Sequence, residues 1–141
     1  LTKKIVYILQ MGRKSKEDSG RLTLFEQRVM AVIWRLGSAT AKDVQAELSK
    51  EQDFAYTTVS TMMRVLESKG VLETVKNGKS HIYVPLLSKE SYESWVIKDI
   101  VKELFADQPS LLFEKMLKDE LLSLADLTEA KFLIEEAISR K

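Results

Sequence analysis

The spacing of the apolar residues changes at Gly70, and this change restricts the fold more than any other feature of the sequence. Before Gly70 they recur every three or four residues, as in amphipathic helices. After it, residues 71–76 and 80–84 are typical of two strands, separated at Asn77-Gly78 by the dipeptide most typical of a tight hairpin turn. Helices followed by one hairpin predict a mostly helical α+β fold.

Three helices are predicted before the hairpin. Thr23 followed three residues later by Glu26 is the signature of a capping box, which begins the first helix, and Gly37 ends it. Thr40 is suited to cap a short second helix. The third helix is predicted over residues 57–69, with Gly70 as its left-handed end.

Three further amphipathic helices are predicted after the hairpin. Pro85 ends the second strand because it cannot donate a ladder hydrogen bond. Ser88 opens the fourth helix, Pro109 breaks it, Ser110 caps the fifth, and the last begins at about Thr128. Their apolar surface is more than one small monomer buries, which predicts a homodimer. We expect the dimer contact to involve the following apolar residues: Trp95, Ile100, Leu104, Phe105, Phe113, Leu117 and Phe132.

The second and third helices with the hairpin form the pattern of a winged helix-turn-helix. The predicted outer face of the third helix carries hydroxyls and one arginine, with Glu67 as its only acid, so it can approach phosphates and base edges. The candidate DNA-binding residues are Thr57, Thr58, Ser60, Thr61 and Arg64 on the helix, Lys76, Asn77, Lys79 and His81 in the hairpin, and Arg21 and Lys42 outside both.

The charge distribution favours a polyanion at the N-terminal half. Residues 1–82 hold fourteen basic and nine acidic side chains, whereas residues 83–141 hold eight basic and twelve acidic ones. Two ordinary solvated surfaces would give the same asymmetry. A protein-interaction module with a helical oligomerisation tail is therefore the alternative to a DNA-binding protein.

Composition excludes several kinds of catalytic and metal site. The chain has no cysteine, which removes disulfides, thiolate metal sites and cysteine nucleophiles, and His81 is its only histidine. Gly78-Lys79-Ser80 imitates the end of a phosphate-binding loop, but Glu73 stands where that loop requires a glycine. We therefore expect neither an enzyme nor a bound metal or cofactor.

The first twenty residues are expected to form a flexible tail, and Met11 is the expected natural start. The longest apolar run near the start, Ile5–Leu9, is too short to span a membrane or to serve as a signal peptide, which predicts a cytoplasmic protein without membrane contact. The predicted organisation is a tail over residues 1–20, a winged-helix DNA-binding domain over 21–87, and a helical dimerisation domain over 88–141.

Three stretches resemble the penicillinase-repressor family, which comprises the winged-helix β-lactam-resistance and copper-responsive repressors. The run from Leu22 through Trp34 resembles its first helix. YTTVSTMMRVLESKGVL, from Tyr56 to Leu72, resembles its recognition helix, and NGKSHIYVPLLSKE, from Asn77 to Glu90, resembles its wing. The resemblance implies a homodimeric transcriptional repressor that occludes a dyad-symmetric operator, with double-stranded DNA as its partner.

Three features of the sequence depart from the family pattern. The absence of cysteine excludes copper sensing through the C-terminal cysteine cluster of the copper-responsive members. Glu114-Lys115 stands where the β-lactam repressors carry the Asn-Phe bond that is cleaved on induction. Val65 occupies a position where members often have arginine, which is expected to weaken or retune a backbone contact.

Overall fold

The computed structural model describes residues 20–141, which form six helices and one hairpin. The mostly helical α+β fold with an N-terminal winged helix-turn-helix is confirmed. Compact packing divides the chain into a first unit ending at Val96 and a second covering Ile97–Lys141. The elements are α1 (Leu24–Leu36), α2 (Ala41–Leu48), α3 (Tyr56–Ser68), β1 (Leu72–Asn77), β2 (Ser80–Pro85), α4 (Lys89–Leu104), α5 (Pro109–Lys118) and α6 (Leu124–Ser139).

The ends of α1 and α2 follow the predicted caps. The Glu26 amide donates to Thr23 Oγ1 over 3.2 Å, and the Thr23 amide donates to Glu26 Oε1 over 2.8 Å. Gly37 ends α1 with a φ of 85°, a conformation that other residues adopt rarely. Thr40 and Asp43 form a second capping box at the start of α2. These caps set the short turn between the two helices.

The core of the first unit holds α3 by one face. Apolar side chains from α1, α2, α3 and β1 meet in a single buried cluster. The buried residues of α3 all lie on one side of the helix, so its opposite side is directed outward. The core residues with no exposed surface are Val29, Met30 and Ile33 of α1, Val44 of α2, and Val59, Met63 and Leu66 of α3.

The hairpin is antiparallel, but its turn lies one residue later than the sequence predicts. Asn77 is the last paired residue of β1, opposite Ser80, and the turn consists of Gly78 and Lys79. Gly78 has a φ of 65°, so glycine alone supplies the left-handed conformation while Asn77 stays in the ladder. Pro85 is the last residue of β2, as predicted.

One backbone contact was not predicted from the sequence. Ala39, between α1 and α2, pairs with Tyr83 of β2 through amide-to-carbonyl hydrogen bonds of 3.0 and 2.8 Å. This isolated bridge joins the helix-turn-helix to the hairpin, and it fixes the position of the wing beside α2.

Of the three helices after the hairpin, α4 begins where predicted, whereas α5 and α6 begin earlier. Ser88 Oγ accepts the Ser91 amide over 3.1 Å at the start of α4. Pro109 is the first residue of α5, a position where its missing amide costs nothing, so Ser110 is not the cap. The helix α6 begins four residues before Thr128, because Ser123 forms a capping box with Asp126.

Across residues 20–141, no helix is both long and apolar enough to cross a membrane. The same part of the chain contains no group of three or more side chains placed to hold a metal ion. The tail predicted over residues 1–20 lies, apart from Gly20, outside the described residues.

Candidate nucleic-acid interface

The outward face of α3 carries three of the predicted DNA-binding residues. Thr57, Thr61 and Arg64 are all exposed, and their spacing of four and three residues aligns them along one side of the helix. This side lies opposite the buried Val59 and Met63. A helix held from behind in this way can present hydroxyls and a guanidinium to the edges of base pairs.

The first turn of α3 has no acidic residue, and its N-cap, Ala55, makes no side-chain hydrogen bond to it. Amides at the start of a helix need acceptors, and their partial positive charge suits an anion. Thr58, which is exposed, lies in this turn. The start of α3 is therefore suited to a phosphate oxygen.

Beside α3 lies an open groove of about 790 Å³, lined by α3, the start of α2 and the hairpin. Four cations line it: Lys42, Arg64, Lys76 and Lys79. None of these four side chains forms an ion pair with a carboxylate within 4 Å among residues 20–141. Their charges are therefore available to an anion that enters the groove.

The register of the hairpin explains why its groove-lining residues lie on one face of the sheet. Lys76 is paired with His81, and Thr74 with Tyr83. Directly opposed residues of an antiparallel ladder point to the same face of the sheet, and all four line the groove. The hairpin thus contributes a basic, hydroxyl-bearing wall that faces α3.

Tyr83 forms the floor of the groove and is 7% exposed. Burial raises the pKa of its hydroxyl, and the charge of Glu67 raises it further, while Arg64 and a hydrogen bond with Thr74 act in the opposite direction. The phenol is therefore neutral at physiological pH. It offers a hydrogen-bonding group without adding negative charge.

The groove brings some predicted residues together and leaves others outside. Thr57, Thr58 and Thr61 lie on α3 outside its lining, and Asn77 is exposed near the tip of the hairpin. Arg21 also lies outside the lining; burial raises the pKa of the nearby Tyr92 hydroxyl, and the charge of Arg21 is one of the influences that oppose this rise. The predicted residues that line the groove together are Ser60, Lys42, Arg64, Lys76, Lys79 and His81. The lining also includes residues that were not predicted to bind DNA: Thr40, Tyr56, Glu67, Thr74, Ser80 and Tyr83.

An ion pair between a buried carboxylate and an exposed lysine holds the end of α3. Glu26 is 1% exposed, and its Oε2 accepts a 2.7 Å hydrogen bond from Lys69 Nζ. Burial alone would raise the pKa of Glu26, but the hydrogen bonds from Lys69 and Thr23 together outweigh it and hold the pKa below its usual value. The charged carboxylate therefore links the start of α1 to the end of the candidate recognition helix.

The start of α4 is anchored to the first unit by polar contacts and stacked rings. Trp34 Nε1 donates to the Leu87 carbonyl over 2.8 Å, and the Leu22 amide donates to the Tyr92 hydroxyl over 2.9 Å. The ring of Tyr92 lies 6.4 Å from that of Trp95. Trp95, a predicted dimer residue, is thus half-buried against the core of the first unit.

The second unit exposes much of its apolar surface. Neither α5 nor α6 has a buried residue. Of the predicted dimer residues, Leu104 is 72% and Phe132 59% exposed, and Phe113 and Leu117 are exposed as well. Ile100 and Phe105 are half-buried. Such a surface on a small unit is typical of one that associates with another chain.

Comparison with known proteins gives one consistent result. The sequence pattern of the family described as Penicillinase repressor matches residues 22–136. The penicillinase repressor of Bacillus licheniformis is 28% identical over 116 residues, which cover 82% of this chain and 91% of that protein. The transcriptional regulator BlaI of Mycobacterium tuberculosis is 29% identical over 84 residues, covering 59% of this chain and 61% of the regulator.

A solved structure is also similar over about half of the chain. It is the monomeric form of Bacillus licheniformis BlaI in complex with the blaP half-operator, 33% identical, covering 51% of this chain and 88% of that one, with a TM-score of 0.45.

Proposed function

The chain belongs to the penicillinase repressor family, and from this premise we propose that it is a transcriptional repressor that binds operator DNA as a homodimer. The observation that carries the proposal is the placement of four cations in one groove beside the outward face of α3, none of which forms an ion pair with another described residue. Polyanions bind such a surface with a salt-dependent affinity, and a helix beside it can read bases.

The outward face of α3 and the groove beside it contact different parts of the duplex. The outward face of α3 enters the major groove, where Thr57, Thr61 and Arg64 reach base edges or phosphates. The groove of the protein binds the adjacent sugar-phosphate backbone, with Lys42 on one side and the hairpin lysines on the other. Thr58, Ser60 and Asn77 complete the contact, and Arg21 approaches the backbone from the segment before α1.

The proposed domain organisation follows the same division. Residues 21–87 bind DNA, and residues 88–141 hold two copies together through their exposed apolar side chains. Two-fold symmetry then places the recognition helices about 34 Å apart, one turn of the duplex. Bound in this way, the protein occludes a promoter. It acts at the chromosome, in the cytoplasm, and carries out no catalysis.

The first experiment is a titration of the purified protein with two labelled duplexes at two salt concentrations. One duplex comes from the DNA upstream of its own gene and the other has a random sequence. We expect the upstream duplex to bind at least ~10³-fold more tightly, with an affinity that falls steeply with salt. Binding to neither duplex at low salt would instead favour the protein-interaction module.

A further inference from the structure

The basic groove contains one carboxylate, Glu67, among its described lining residues. Glu67 follows Arg64 by one turn of α3, is exposed, and forms no ion pair within 4 Å in the described part of the chain. The charges of Glu67 and Arg64 both act on the hydroxyl of Tyr83 at the floor of the groove. Glu67 therefore lies among the cations.

A carboxylate in this position opposes the binding of a phosphate. Two like charges about 4 Å apart in water repel each other enough to change an equilibrium constant by roughly fivefold, and by more where water is displaced. Glu67 also attracts the guanidinium of Arg64, because residues three apart on a helix are neighbours. Both effects reduce the attraction of the groove for any sugar-phosphate backbone.

We propose that Glu67 limits the affinity of the groove for duplex DNA of any sequence, so that the base contacts of α3 decide where the protein binds. This inference rests on the DNA-binding function proposed above. Sequence-independent binding is almost wholly electrostatic and leaves the protein free to slide along the duplex, whereas a specific complex is also held by its base contacts. A negative charge in the groove therefore weakens non-specific complexes most.

The test compares two variants that remove the same charge at different places. Glu67→Gln keeps the size of the side chain and neutralises the groove carboxylate. Glu73→Gln is the matched control, because Glu73 is an exposed residue of β1 outside the lining of the groove. Both variants have the same net charge, and circular dichroism checks that both are folded. Each is titrated with the upstream and the random duplex at low and moderate salt.

We expect Glu67→Gln to tighten binding to the random duplex about three- to tenfold at low salt, with a smaller gain for the upstream duplex. The gain should shrink as salt rises, since screening weakens exposed charges. Glu73→Gln should stay within about twofold of the unaltered protein.

Two results would overturn the inference while leaving the DNA-binding function intact. Weaker binding by Glu67→Gln would mean that the carboxylate accepts a hydrogen bond from a base or positions Arg64. An equal gain in Glu73→Gln would mean that only net charge matters. If the unaltered protein binds neither duplex at low salt, the proposed function itself fails, and the inference fails with it.

Discussion

Arg64 is the residue where the two proposed binding surfaces meet. It lies on the outward face of α3 and also lines the groove beside the hairpin. An arginine in such a position can bind guanine with both ends of its guanidinium or can neutralise a phosphate. Its substitution should therefore separate sequence reading from general attraction.

We expect Arg64→Ala to lower operator affinity by about 1–3 kcal/mol. If Arg64 reads a base, the preference at one position of the operator is lost, and if it binds a phosphate, the salt dependence becomes shallower by about one contact. Arg35→Ala is the control, because Arg35 of α1 forms an ion pair with Glu47 of α2 and does not line the groove. Unchanged binding by Arg64→Ala would exclude it from the interface.

The carboxylate of Glu26 makes the stability of the first unit depend on pH. Its pKa is lowered in the folded protein relative to the ordinary value of 4.5, so folding favours its charged form. This stabilisation is fully present above the pKa of the unfolded chain and disappears as the pH falls through the lower folded pKa.

We expect Glu26→Gln to lower the free energy of unfolding at pH 7 by about 1–3 kcal/mol, because the Lys69 ammonium and the Thr23 amide lose a charged acceptor. The variant should also lose less stability than the unaltered protein between pH 6 and 3. Thermal unfolding at several pH values measures both effects. Parallel curves for the two proteins would contradict this role of Glu26.

At the scale of elements, the wing and α3 act together because the hairpin register places Lys76 on the side that faces α3. The turn at Gly78-Lys79 adds a second lysine to that side. Both are flexible point charges on a hairpin, which suits them to phosphate contacts that carry no sequence information.

We expect the double variant Lys76→Gln/Lys79→Gln to reduce the slope of log affinity against log salt by about 1.8, which is the value for two phosphate contacts. The ratio of upstream to random affinity should change little. The double variant Lys98→Gln/Lys102→Gln removes two exposed lysines from α4 instead and is the control. A slope that both double variants reduce equally would exclude a specific role for the wing.

For the whole molecule, the exposed apolar side chains of α5 and α6 make the oligomeric state part of the function. Leu117 is 41% exposed on a helix with no buried residue. A charge there cannot be buried against a second chain without a large desolvation penalty.

We therefore expect Leu117→Glu to be monomeric in analytical ultracentrifugation and to bind a full operator much more weakly, while a single half-site is still bound by the intact first unit. The control is Ser110→Glu, which introduces the same charge at an exposed polar position of α5. A dimeric Leu117→Glu protein would show that Leu117 lies outside the contact. A charge at Leu104 tests the end of α4 in the same way.

The elements of this protein follow from local sequence signals, whereas the groove depends on contacts between distant segments. Capping boxes at Thr23 and Thr40, the helical spacing up to Lys69 and the glycine turn each act within a few residues, so they predict helices and hairpin directly. The helix α6 begins before the predicted Thr128 because the capping box of Ser123 and Asp126, an equally local signal, starts it at Leu124.

Only the tertiary structure brings Lys42 and Arg64 beside the hairpin, because the Ala39–Tyr83 bridge joins segments forty-four residues apart. It also pairs Lys69 with Glu26, which makes that lysine an anchor of α3 instead of one more surface cation. Periodicity and capping are properties of neighbouring residues, and they determine which faces exist. Long-range packing decides which charges share a groove and which are neutralised, and local sequence patterns do not predict it.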